Sequence, residues 1–243
     1  AAEEAASRNA LCTSLNIGMR WNEALWRMRA ELEDGRIGSL KDAELRLHFR
    51  TWPREWQVQP WCAGRAEGGA LREVGTHFLF GIHELFGHGC VRRVCADVIY
   101  PDGPDGERAE SSVDGTLELA AGLFGNAEPT NIHLSVRTEG QRSLVASGRD
   151  AYELEVRGSE GGLCLFDFTS LADTRGRMLV DDAGYGRREC VEELLAVVLS
   201  ADPGVASAPR RRGMVSAREA RNAQRVLDAI LMSNNQWVMI EYD

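Results

Sequence analysis

Apolar side chains recur along this chain at two spacings, and the switches between them mark out its elements. Residues 1–9 read as a helix with no initiator Met and no N-cap, and the middle of the following ALCTSLNIGMRW as a short strand ending at Gly18. Over residues 22–34, Leu25, Met28, Arg29 and Leu32 fall at helical spacing, with Gly35 as the C-cap. Residues 43–50 alternate apolar and polar side chains, as a half-buried strand does. Residues 51–66 show no period. Their Trp52, Pro53, Trp56, Pro60 and Trp61 indicate a long loop whose rings either pack on the parent domain or offer a stacking surface to a ring-shaped substrate.

Helical periodicity returns over residues 67–86, where Leu71, Val74, Phe78, Ile82 and Leu85 share one stripe at about 100° per residue. Five strand-like runs follow between residues 91 and 169, separated by turn signals such as PDGPDG and SEGG. Helices over roughly 187–200 and 216–232 and a final strand, WVMIEY, close the chain. Consecutive strands with short connections imply an α+β fold, a large and mostly antiparallel open β-sheet with helices on one face.

Composition narrows the function classes. A net charge of −9 over 243 residues gives no footprint for nucleic acid or an anionic membrane, and the one basic run, Arg210 to Arg212, reads as a solvated loop. No stretch of 18 apolar residues occurs and no signal-peptide layout opens the chain, so a cytoplasmic protein is expected. The six cysteines lack a C-x-x-C pair, which fits reduced thiols better than disulfides or zinc.

The candidate chemistry lies in EGGALREVGTHFLFGIHELFG, residues 67–87. Glu73 and His77, at i and i+4, sit on one side of the helix, away from the apolar stripe. Such a pair is either a surface ion pair or a carboxylate orienting an imidazole for proton exchange near neutral pH. His83 and His88 invite comparison with H-E-x-x-H, but the second His falls at i+5 and Gly87 is placed to end the helix, so no metal is expected. His48 and His133 lie in strand-like runs and read as sheet histidines.

GGALREVGTH resembles the Gly-Gly-x-Leu-x-Asp-x-Gly-x-His signature of the Gfo/Idh/MocA oxidoreductases, which use NAD or NADP on sugars, inositols and related polyols or dihydrodiols. MRWNEALWRMRAELEDGRIGSL, SSVDGTLEL and SAREARNAQRVLDAILMSNNQW are similar to further family segments, in the same order. The resemblance implies that residues 21–243 are a substrate-binding and oligomerisation domain, and residues 1–20 the helix–strand remnant of a Rossmann nucleotide-binding domain. It implies His77 as proton donor or acceptor, with Glu73, where Asp is usual, beside it. Arg20 matches a position that commonly reaches substrate, and Trp61 and Tyr185 are further candidate substrate contacts. Phe80 stands where the family often has Asp, which suggests a less polar substrate or an altered pocket.

The family's Gly-x-Gly-x-x-Gly turn and its Glu-Lys-Pro are not found, and Lys41, the only lysine, has neither flank of the latter. The main NAD or NADP site is therefore expected outside this chain, which alone should neither bind nucleotide tightly nor turn over. Expected partners are a small-molecule substrate and further copies of the chain, associating through the open sheet face. A non-catalytic binding or oligomerisation module derived from the same family is the alternative.

Overall fold

The computed structural model describes residues 15–138, 150–199 and 213–242. The expected helix over residues 1–9, Cys12 and the arginine run 210–212 lie outside the described residues. Nine strands form one open sheet: β1 (Leu40–His48), β2 (Val91–Ile99), β3 (Ser112–Leu119), β4 (Thr130–Arg137), β5 (Ala151–Gly158), β6 (Gly162–Phe166), β7 (Ser170–Asp173), β8 (Met178–Val180) and β9 (Val238–Met239). Their order is β8-β7-β6-β5-β1-β4-β3-β2-β9. Among the described residues only the central β1/β4 pair is parallel, with Leu45 opposite Leu134, and the other neighbours are antiparallel.

The alternation read from residues 43–50 sets the two faces of this sheet. Ala43, Leu45 and Leu47 of β1 are buried with Ile132, Leu134 and Val136 of β4, beneath the helices. Asp42, Glu44 and Arg46 point to the other face, where Arg46 pairs with Glu153 at 2.7 Å, Arg157 with Asp42 at 2.5 Å and Arg137 with Asp114 at 2.6 Å. Such half-exposed pairs contribute little individually, and their main effect is to keep this face polar.

Four α-helices are described: α1 (Glu23–Glu33), α2 (Thr76–Phe86), α3 (Arg187–Leu199) and α4 (Ala217–Met232). Ala24, Leu25, Met28 and Leu32 bury one stripe of α1, and Gly35 follows its C-cap Asp34 in the left-handed conformation. α4 opens on a capping box between Ser216 and Glu219. α2 is central: Phe78, Leu79, Phe80, Ile82 and Leu85 are all buried, each contributing about 1.5–3 kcal/mol. Gly87 ends it, as read from the sequence.

The strand read as closing at Gly18 is not formed within the described residues. The chain makes a 3-10 turn, Gly18–Trp21, instead. Met19 and Trp21 are buried in this turn. The closing strand is likewise shorter than WVMIEY suggests, pairing with β2 only at Val238 and Met239. Loop 51–66 packs on its own domain in part, through Trp52 and Cys62, while Trp56 and Trp61 stay exposed. Trp52 is buried edge-on to Phe49 and donates its indole N–H to the carbonyl of Cys62 at 2.9 Å.

Candidate active site

A cleft of about 490 Å³ opens where the N-terminal half of the central helix meets the ends of β5 and β6. Its lining includes Glu73, His77, Tyr185, Arg54, Asp150 and Asp167, with the rings of Trp56, Tyr152 and Phe168 among them. Glu73 lies on a π-turn, Leu71–Gly75, that leads into α2, and His77 lies in the first turn of α2 itself. Two residues before the π-turn lies Gly69, whose φ of +107° admits no side chain easily. A Cβ there would also lie 2.4 Å from Oε2 of buried Glu110, whose Oε1 accepts the Leu71 N–H at 2.7 Å. A buried carboxylate therefore caps this helix at its positive end, although burial raises the Glu110 carboxyl above its ordinary range.

Tyr185 OH lies 2.6 Å from His77 Nδ1, with the two rings edge to face. Tyr185 reaches this position because residue 18 is glycine: a Cβ there would lie 2.2 Å from the Tyr185 carbonyl and 2.7 Å from its ring. Glu73 is held by different partners, accepting from Gln57 Nε2 at 2.9 Å and, more weakly, from the Cys62 thiol at 3.9 Å. The extra residue of a π-turn rotates position 73 relative to 77, away from the α-helical stacking expected of an i, i+4 pair. Both side chains line one cleft, but the hydroxyl that engages the imidazole comes from over a hundred residues away.

The rim at residues 150–152 is a tight polar knot. Arg54 donates to Asp150 at 3.2 Å and to the Tyr152 hydroxyl at 3.0 Å, and its guanidinium lies 5.1–5.8 Å from the ring centres of Phe49, Trp52, Trp56 and Tyr152. Burial and the Asp150 carboxylate raise the pKa of Tyr152 well above the ordinary phenol range.

Two of the candidate substrate contacts lie elsewhere. Arg20 is drawn into a cluster at the far end of α2, pairing with Glu84 at 3.2 Å and Glu219 at 2.5 Å. Trp61, in a short 3-10 turn, does not line the cleft, whereas Trp56, five residues earlier and 71% exposed, does. Phe80 faces Arg20 and His88, so its apolar ring leaves the polarity of the cleft unchanged. Asp150, Asp167 and Phe168 were not singled out from the sequence, because each lies in or beside a turn whose facing no periodicity encodes.

Glu84, His88 and Glu219 bring three ligand-type atoms within 4.8 Å of one another. The Arg20 guanidinium already pairs with both of these carboxylates. The neighbouring His83 is fully buried and stacks on His88, with parallel rings 5.7 Å apart. Burial first, and His88 second, lower the His83 pKa to about 4. His48 is buried with Nε2 3.1 Å from Ser135 Oγ, and His133 is exposed on the open sheet face.

The GFO/IDH/MocA C-terminal domain profile matches residues 25–164, more than half of the chain. No curated protein matches significantly in sequence. Among solved structures the chain is similar to an oxidoreductase from Thermotoga maritima (TM-score 0.67, 14% identity, 94% of this chain) and spans 62% of that protein's length. It is also similar to the WlbA dehydrogenase from Bordetella pertussis, solved with NADH and UDP-GlcNAcA (TM-score 0.68, 14% identity, 99% of this chain and 67% of that one). A super-repressor mutant of Gal80p from Saccharomyces cerevisiae has the same fold (TM-score 0.72, 13% identity, 98% of this chain and 67% of that one). At these identities the likeness is one of fold, and fold alone does not assign a reaction.

Proposed function

The chain belongs to the GFO/IDH/MocA family as a C-terminal domain of that type, and we propose that the cleft around His77 is the substrate site of an NAD(P)-dependent oxidoreductase. The substrate class is a sugar, inositol or dihydrodiol-like ring, reacting at a hydroxyl or carbonyl. The single observation that carries this reading is the Tyr185–His77 hydrogen bond inside a cleft lined by carboxylates and rings. An imidazole fixed through Nδ1 exchanges protons through Nε2, and its two tautomers suit it to give a proton to a carbonyl oxygen or take one from a hydroxyl.

The described residues do not fit a dinucleotide. The chain has no Gly-x-Gly-x-x-Gly. Three of the four described helix N-termini, which would otherwise attract phosphate, are already capped: α1 by Asn22, α2 by the Glu110 carboxylate and α4 by its own box. The proposal therefore places the main NAD or NADP site outside the residues of this chain. Calorimetry on this chain alone should detect no tight NAD(P) binding.

Association of copies through the bare sheet face belongs to the same proposal. That face is ion-paired across its centre by Arg46 with Glu153 and Arg157 with Asp42, and exposes Ile99, Trp237 and Met239 toward the β2/β9 edge. Sedimentation would test it, and a monomer at micromolar concentration would count against it. The enzymatic reading is tested by NAD(P) reduction with a panel of cyclic polyols in the protein at its natural full length. Turnover is expected on at least one of them. Association without turnover on any polyol would favour the non-catalytic module.

A further inference from the structure

The turn between β6 and β7 sets two consecutive non-glycine residues in the left-handed region, Asp167 at φ 50° and Phe168 at φ 67°. For a bulky residue such as Phe that conformation is an outlier, and it persists where the surroundings enforce it. Here they do. The Phe168 carbonyl accepts from Nδ2 of the fully buried Asn22, and the Asp167 N–H donates to the Tyr152 carbonyl at 3.0 Å. The Phe168 ring packs 4.8 Å from Phe78, 5.0 Å from Tyr152 and 5.3 Å from Tyr185, centre to centre.

This strained turn holds the exposed Asp167 carboxylate at the cleft. The other charged groups of the lining are tied to protein partners: Glu73 to Gln57, and Asp150 to Arg54, the Tyr152 hydroxyl and the Arg50 N–H. Among the described lining residues three carboxylates, Glu73, Asp150 and Asp167, stand against one guanidinium, Arg54. Across the same cleft, Trp56 exposes an indole face suited to the apolar side of a sugar-like ring.

We propose that Asp167 is a specificity-determining substrate contact. Its carboxylate accepts hydrogen bonds from a hydroxyl or ammonium of the bound ring, and with the surplus negative charge around it selects uncharged and amine-bearing polyols over phosphorylated or carboxylated ones. The proposal rests on the reading of the cleft as a polyol site and adds to it the charge of the substrate. An anionic ring entering here would meet Asp167 at short range, and among the described lining residues the one guanidinium, Arg54, is already engaged by Asp150.

The test is direct binding to the full chain at low salt, by calorimetry or saturation-transfer NMR, with glucose, glucosamine, glucuronate and glucose 6-phosphate as probes. Glucose and glucosamine should bind at least tenfold more tightly than the two anions. Asp167→Asn, which suits the left-handed backbone, should keep the thermal midpoint, weaken glucosamine more than glucose and narrow the gap to the anions to about threefold. Anions binding as tightly as glucose, or unchanged ratios in D167N, would overturn this inference while leaving the polyol site standing. Failure of every probe to bind would overturn both.

Discussion

Asn22 joins two elements through one buried side chain, and its removal has a calculable cost. Oδ1 accepts the Leu25 N–H at 2.9 Å and so caps α1, while Nδ2 donates to the Phe168 carbonyl in the β6–β7 turn. Asn22→Ala deletes the cap, at about 1 kcal/mol. It also strips a half-buried carbonyl of its donor, at about 1–2 kcal/mol. The total of about 2–3 kcal/mol, at ~2–4 °C per kcal/mol for a chain of this size, lowers the thermal midpoint by roughly 5–10 °C. Asn22→Asp separates the two contributions, because it keeps the acceptor facing Leu25 but turns a second acceptor on the Phe168 carbonyl. Its loss should come from the turn and not from α1. Calorimetric unfolding of parent, N22A and N22D measures both effects. An N22A midpoint within about 2 °C of the parent would refute the claim that this residue holds the turn.

Three further outcomes follow from the same geometry. His83 is fully buried with its pKa lowered from 6.5 to about 4, so the unfolded chain binds a proton that the folded one refuses. Its contribution to stability is intact above pH 6.5 and lost as pH falls toward 4, by up to about 3 kcal/mol; denaturant unfolding should show that slope, and His83→Asn, which keeps an acceptor near the Gly89 N–H, should flatten it. Gly18→Ala places a methyl against the Tyr185 carbonyl and ring, so a midpoint loss equivalent to about 1–3 kcal/mol is expected, with Tyr185 displaced from His77 in a crystal structure; an unmoved Tyr185 would contradict the packing described. Burial pushes the Cys90 thiol up to about 12, so iodoacetamide should label the half-exposed Cys95 well before Cys90 in native protein, as read by peptide mass spectrometry.

Sequence pattern carried the elements further than it carried their partners. The α1 stripe ending at Gly35, the long helix around His77 and the alternation in β1 were legible because burial repeats with the period of the element. The parallel pairing of Leu45 with Leu134 was not, since a strand's pattern fixes which side is buried and leaves its neighbour open. The same limit applied at the cleft. His77 and Glu73 were found from spacing and family resemblance, but the π-turn that separates their partners leaves no such mark. Glu110 reads as one more polar residue near a turn until the fold brings it beneath Leu71. Arg20 was read toward substrate, yet the 3-10 turn that carries it aims it at Glu84 and Glu219. Trp61 and Trp56 were indistinguishable in an aperiodic loop, and only the folded loop turns Trp56 to the cleft.

The central proposal is that His77, held by Tyr185, exchanges the proton of the substrate's reacting hydroxyl or carbonyl oxygen in an NAD(P)-linked reaction. The most direct measurement is the steady-state rate of NAD(P) reduction by the protein at its natural full length, with His77→Ala set against the parent. Loss of a positioned acid–base group predicts a fall in kcat of about 100-fold or more with folding preserved. A folded His77→Ala protein whose kcat stays within about twofold of the parent would contradict the account.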